Sequence, residues 1–364
     1  MAMIDFSGIK QDYQAHQKEI DAAIARVIAS GQFIMGEEIE ALEKKLSKFV
    51  GVRHALSCSS GTSALILCLL ALGIGKDDEV ITSSFSFFAS AEAIAIVGAR
   101  PVFVDIDESY NLDISKIRPL ITKKTRAILA VSLFGQMGNL PALLELAKQE
   151  NLWLIEDGAQ SFGASYEGKK SGSIAHVSTT SFFPAKPLGC FGDGGAIFCN
   201  DEGIYHKLKL LRTHGQSMRY QHEIIGMNAR LDSLQAAILQ TKLGYYEQNL
   251  AKRQENARLY CKHLKDAKIT LPFIDRKAKS SFAQFSILCK LRESLREFLQ
   301  KRAIPTAVHY PIALHQQKAF GYLPSTKAPF AEQCAREILS LPLHPYLTPT
   351  QILTICQSIK EFYG

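Results

Sequence analysis

The residues best suited to chemistry fall in three short stretches. The most informative runs from Thr180 to Ala196, reading Thr-Ser-Phe-Phe-Pro-Ala-Lys-Pro-Leu-Gly-Cys-Phe-Gly-Asp-Gly-Gly-Ala. Its single lysine, Lys186, stands between an apolar, strand-like run and a glycine-rich turn. A lysine so placed can lose its water, which lowers its pKa and frees a neutral amine for Schiff-base chemistry. The nearby glycines would let backbone approach a flat ligand closely. Upstream, Leu154-Ile155-Glu156-Asp157-Gly158-Ala159-Gln160-Ser161 is a hydrophobic strand ending in an aspartate. A carboxylate there could pair with a pyridinium nitrogen and strengthen an electron sink. Third, Ser59-Ser60-Gly61-Thr62-Ser63 precedes a helix, and backbone N–H groups with hydroxyls at a helix start suit a phosphate. Each stretch has a plainer reading: a surface turn, a turn aspartate and a simple helix cap.

The elements that must position these residues follow from periodicity. Residues 16–30 and 37–50 place apolar side chains at helical spacing, and Ser63 to Leu72 reads as a buried helix. Short apolar runs at 55–58, 79–82, 101–105, 127–133 and 153–156 read as strands, with helices at 89–97 and 140–149 between them. This alternation indicates an α/β fold with a mainly parallel sheet, whose ligands bind at the strand ends. A long helix is expected over 234–261, a strand over 281–288 and a helix over 291–302. The expected division is a large α/β domain, 1–250, with an N-terminal helical segment, and a smaller α+β domain, 251–364.

Composition excludes several classes. The 364 residues are 47% hydrophobic and 21% charged, which is globular rather than disordered. The net charge of +7, from 42 basic and 35 acidic residues, is dispersed rather than gathered in a stripe. No nucleic-acid partner is expected, and an acidic small-molecule substrate fits the charge equally well. No apolar run is long enough for a membrane span, and no secretory signal is visible, so the expected location is cytoplasmic. The eight cysteines form no CxxC pair. They read as reduced buried thiols, and no metal site is expected.

Phosphate loop, strand-end aspartate and lysine, in that order, make up the layout of pyridoxal-phosphate enzymes of the aspartate aminotransferase fold (fold type I). The sequence resembles the DegT/DnrJ/EryC1/StrS sugar aminotransferases from about Ile4 through the C-terminal third. The resemblance rests on Gly31 to Gly36, Glu156 to Ser161, Ser181 to Gly195, Gly226 to Asp232 and Val308 to Pro311. It implies that Lys186 anchors the cofactor covalently and shuttles protons, and that Asp157 pairs with the pyridine nitrogen. It also implies that Gln160 bonds the ring 3-oxygen and Phe87 stacks on the ring. Gly61, Thr62 and Ser181 would hold the phosphate, and Asn228 would reach the phosphate of a neighbouring subunit in a homodimer with shared sites. Many members have Tyr or Trp where Phe87 stands, so the polar handle is lost. Without the resemblance, Phe87 reads as core, Asn228 and Arg230 as loop residues, and His309 and Tyr310 as a packed pair.

Around Lys186 the sequence is most similar to members that aminate nucleotide-linked 3-keto sugars, and in particular UDP-2-acetamido-2-deoxy-3-oxo-glucuronate for O-antigen (lipopolysaccharide) synthesis. That similarity makes Arg230, His309 and Tyr310 the candidate substrate contacts, since a guanidinium binds a carboxylate or phosphate through a forked pair of bonds. UDP-3-oxo-N-acetylglucosamine (for lipid A) and a 4-keto-6-deoxy nucleotide sugar are alternatives. The implied reaction has two halves, with L-glutamate giving its amino group to the cofactor and the keto sugar receiving it. Dehydratases of the family carry His in place of this lysine. A cofactor-responsive regulator of DNA would need a helix-turn-helix domain that is not evident here.

Overall fold

The computed structural model describes residues 4–364. Its centre is a seven-stranded sheet. Five strands, β1 (His54–Cys58), β2 (Glu79–Ser83), β3 (Arg100–Val104), β4 (Thr125–Val131) and β5 (Trp153–Asp157), are joined by Val177–Ser181 and Gly195–Cys199. Across the sheet the order is β1, Gly195–Cys199, Val177–Ser181, β5, β4, β2, β3. Only Gly195–Cys199 runs against the others. Central strands such as β2 are buried along their whole length, as expected of parallel strands covered on both faces, and Val80 and Ile81 supply the stiff branched side chains.

Helices α1 (Ile9–Ala15), α2 (Gln17–Ser30) and α3 (Glu37–Val50) precede the sheet, and α4 (Gly61–Ala71) and α5 (Ala89–Ile96) follow β1 and β2. The helix α4 is apolar nearly all round because it is buried on the sheet. It starts where Ser60 caps it, the serine oxygen accepting from Ser63 N at 3.0 Å. The short α1 has no counterpart in the expected elements. It follows Gly8, whose left-handed φ of 71° turns the chain, and it stops at His16; α2 then matches the helix expected over 16–30.

A second apolar core forms where Phe285–Leu288 pairs antiparallel with Ile338–Leu341 under Pro349–Tyr363. The expected strand over 281–288 is confined to its last four residues, since Ser281 N is drawn away to Gly135 O at 2.8 Å. The long helix Ser233–Leu264 serves two clusters: Ala236 and Leu239 pack with Leu42, Leu46 and Phe198 beside the sheet, and Ala257, Tyr260 and Leu264 belong to the second core. It passes residue 250 without a break. All eight cysteines are free thiols, and all but Cys261 are buried. No helix of the described residues is long and apolar enough to cross a membrane.

Candidate active site

The parallel strands aim their C-terminal ends at one edge of the sheet, and the candidate residues lie there. Register explains how distant segments meet. Cys58 faces Gly195, and Gly195 faces Ser181, so the loop after β1 sits beside the end of Val177–Ser181. The fit is close. A Cβ on Gly61 would lie 2.8 Å from the Ser181 Cβ, and one on Gly195 would lie 2.5 Å from the Ser60 carbonyl. Glycine at both positions therefore lets the start of α4 lie against Ser181, and the unpaired N–H groups of that start point to an anion site.

One cavity of about 420 Å³ collects most of the candidates: Gly61, Thr62, Phe87, Asp157, Gln160, Ser181, Lys186, His309 and Tyr310. Lys186 reaches it from a folded-back loop. Cys190 N returns to Phe182 O at 2.8 Å, and Gly189 passes so near Pro184 that a Cβ would lie 2.5 Å from its carbonyl oxygen. Burial of the amine pushes the Lys186 pKa below its ordinary value, against the opposing charge of Asp157. That is the condition for a neutral, nucleophilic amine.

Asp157 is buried at the tip of β5. Its Oδ1 accepts from Ala159 N at 3.1 Å, and its Oδ2 accepts from Ser90 Oγ at 2.8 Å. Gln160 is fixed at both ends of its amide: Oε1 accepts from Phe134 N at 2.7 Å, and Nε2 donates to the Tyr310 hydroxyl at 3.1 Å. Phe87 is 55% exposed, so the plain reading as core is corrected: its ring is a wall of the cavity, 5.9 Å from that of Tyr310. His309 Nδ1 meets Ser340 Oγ at 2.9 Å, and burial, aided by the charge of Lys186, pushes its pKa down to about 4. It is therefore neutral at pH 7.

Asn228 and Arg230 are not brought into that cavity. They line a neighbouring one of about 360 Å³ together with Asp232, and the two cavities share Asp193. Arg230 Nε donates to Asn228 Oδ1 at 2.9 Å.

Sequence reasoning missed several supporting residues. Ser90, in the first turn of α5, backs Asp157, and Ser86, in the loop before that helix, stands 3.0 Å from the Ser90 hydroxyl; nothing in the local sequence marks the pair. Glu156 is fully buried. It accepts from Ser132 Oγ, Ser171 Oγ and Gly172 N at 3.0, 2.6 and 2.8 Å, and burial still holds its carboxyl above the ordinary range. No local pattern marks its partners, which come from other segments.

A carbonyl-reactive amine, a held carboxyl group, an aromatic wall and an anion cradle around one cavity are the donor set a pyridoxal phosphate needs. Comparison with known proteins shows the family. Over 360 residues the chain is 45% identical to the UDP-2-acetamido-2-deoxy-3-oxo-D-glucuronate aminotransferase of Pseudomonas aeruginosa, covering 99% of this chain and 100% of that one. It is 39% identical to a UDP-N-acetyl-3-dehydro-alpha-D-glucosamine 3-aminotransferase of Acidithiobacillus ferrooxidans, over 96% of each. The solved structure of S. venezuelae DesV with a ketimine intermediate superposes with a TM-score of 0.97 at 37% identity, covering 100% of this chain and 99% of that one. Residues 14–360 match the family's pattern, and the chain belongs to the DegT/DnrJ/EryC1/StrS aminotransferases, which are pyridoxal-phosphate enzymes.

Proposed function

We propose that this sugar aminotransferase moves an amino group from L-glutamate to the 3-keto carbon of UDP-2-acetamido-2-deoxy-3-oxo-D-glucuronate. The observation that carries the chemistry is the meeting of Lys186 and Asp157 in one cavity beside the Gly61–Ser181 cradle. The choice of sugar leans on the full-length likeness to the Pseudomonas relative. The reading places the reaction in the cytoplasm, in a homodimer, with the product feeding surface polysaccharide.

Pyridoxal phosphate supplies an aldehyde that carries the amino group and a ring that draws electrons from the adjacent carbon. The chain supplies the rest. Gly61, Thr62 and Ser181 would hold the phosphate, and Asn228 of the partner subunit would complete that grip. Phe87 would cover a ring face, Asp157 would keep the ring nitrogen protonated, and Gln160 would bond the 3-oxygen. Lys186 Nζ would be the covalent anchor, and then the base and acid that takes the proton from the donor's amino-bearing carbon and later returns one to the sugar carbon. Arg230, His309 and Tyr310 bind the sugar nucleotide, His309 as a neutral imidazole.

The test is an absorbance spectrum of the cofactor-loaded protein, then of the same sample with glutamate. A band near roughly 410–430 nm that moves to about 330 nm, and is absent in Lys186→Ala, is the expected result. No band in the wild type would overturn the reading. Turnover is then compared on the 3-oxo-glucuronate, UDP-3-oxo-N-acetylglucosamine and a 4-keto-6-deoxy sugar. Preference for either of the latter two would replace the proposed substrate.

A further inference from the structure

Behind His309 lies a small recess of about 60 Å³ that shares Ala185, Gln284 and His309 with the main cavity. Ala185 directly precedes Lys186. Arg253, from the long helix Ser233–Leu264, forms one wall, and Phe6 and Ser7 of the N-terminal segment close another. Arg253 is only 5% exposed. Its Nη1 donates to Leu343 O at 2.9 Å and Phe282 O at 3.3 Å. Its Nε is buried with no hydrogen-bond partner. Among the described residues no carboxylate oxygen lies within 4.0 Å of the guanidinium. Asp12, the acid whose field reaches it, is itself paired with Lys242 at 2.8 Å.

A guanidinium stays charged inside proteins, and a buried charge is normally paired. Here it borders a space with no acidic side chain in its lining. A second polar group in that wall is also unspent: Gln284 Oε1 is buried without a partner. Half a turn of that amide would offer its N–H instead, and the two orientations differ only in hydrogen bonding. The space admits a group of carboxylate size and excludes a whole amino acid.

We infer that this recess receives a carboxylate of the amino donor, with Arg253 supplying the charge and Gln284 a second donor, while the rest of the donor lies in the main cavity. The inference rests on the proposed function, whose donor is an amino acid. The competing account makes Arg253 only a tie between the carbonyls of Phe282 and Leu343. That account leaves the unpaired Nε and the acid-free space without a purpose.

The test titrates cofactor-loaded protein with maleate, an unreactive dicarboxylate, by calorimetry. Three variants are compared: Arg253→Lys, Arg253→Gln and Gln284→Glu. Gln284→Glu leaves the Arg253 bonds to Phe282 and Leu343 in place and sets a carboxylate of the chain in the recess. Maleate affinity should fall roughly 10- to 100-fold in Arg253→Gln and Gln284→Glu, and less in Arg253→Lys. The glutamate concentration for half-maximal bleaching should rise in the same order. If Arg253→Gln fails to fold, the other two variants decide. Wild-type affinity in Gln284→Glu and Arg253→Lys would overturn the inference, as would a wild type that binds no maleate. Bleaching of the wild type by glutamate separates the failures. If bleaching persists, only the recess is wrong; if it is absent, the proposed donor falls as well.

Discussion

Ser90 and Asp157 are 67 positions apart in the chain, and the serine hydroxyl donates to the aspartate Oδ2 over 2.8 Å. With Ala159 N on Oδ1, both oxygens of the carboxyl are engaged and its rotamer is fixed. A group that must meet a ring nitrogen gains from such fixing, because misplacement costs rate directly. Ser90→Ala frees one oxygen and lets the group turn. A hydrogen bond to a charged group is worth about 1.5–3 kcal/mol. The glutamate half-reaction, followed by stopped-flow absorbance, should slow by about tenfold or more while the fold is kept. An unchanged rate would show that Ala159 alone suffices.

The contact of Gly61 with Ser181 makes a second prediction. In Gly61→Ala the new methyl would stand 2.8 Å from the Ser181 Cβ, so backbone at the head of α4 or at the end of its neighbouring strand must move. Strain of this kind typically costs about 1–3 kcal/mol. It falls on the cradle assigned to the phosphate. Cofactor affinity, measured by equilibrium dialysis, should drop by about tenfold or more. Retained wild-type affinity would place the phosphate elsewhere.

Phe85 and Phe87 are two residues apart and should respond oppositely to truncation. Phe85 is 0% exposed within the main core, and Phe87 is 55% exposed on the cavity wall. Phe85→Ala should cost about 3–5 kcal/mol of stability by leaving a void. Phe87→Ala should cost well under about 1 kcal/mol, yet weaken cofactor binding, and Phe87→Tyr should keep it. Urea unfolding with and without cofactor distinguishes the two. A large stability loss in Phe87→Ala would return that ring to the core.

These residues also show what a sequence can reveal. Lys186, Asp157 and Ser60-Gly61-Thr62 were legible because each sits at a junction that local chemistry marks: a turn rich in glycine, the polar end of an apolar run, a helix cap. Their meeting was not legible, because it depends on Gly195–Cys199 running antiparallel between β1 and Val177–Ser181, a long-range pairing without local trace. Ser90 was hidden by its own ordinariness, a serine in a helix. Arg253 was hidden more deeply. Its place midway along a helix of mixed polarity suggests a solvated face, and only packing of Phe282 and Leu343 around it reveals a buried cation. The N-terminal segment was missed for the same reason, since Phe6 and Ser7 reach the recess only through the tertiary fold.

That segment is held by His344. His344 is 2% exposed and packs on Gly8, where a Cβ would lie 2.4 Å from its Nδ1. Its Nε2 meets Asp5 O at 3.3 Å. Burial, with help from the charge of Arg253, pushes its pKa down to about 4, against the opposing pull of Asp5. An unfolded histidine takes its proton near pH 6.5. Between those values the unfolded chain binds the proton and the folded chain does not. The contribution of His344 is therefore intact above about pH 6.5 and is lost as pH falls toward 4, by about 1.4 kcal/mol per pH unit at the steepest. His344→Gln cannot titrate. Compared with the wild type by urea unfolding at pH 7, 6 and 5, it should start less stable and lose less on acidification, so that the two curves converge. Parallel curves would mean that His344 takes up its proton as readily in the folded protein as in the unfolded chain. Convergence would identify the contact of Gly8 with His344 as the acid-labile clasp on Phe6 and Ser7, and so on one wall of the Arg253 recess.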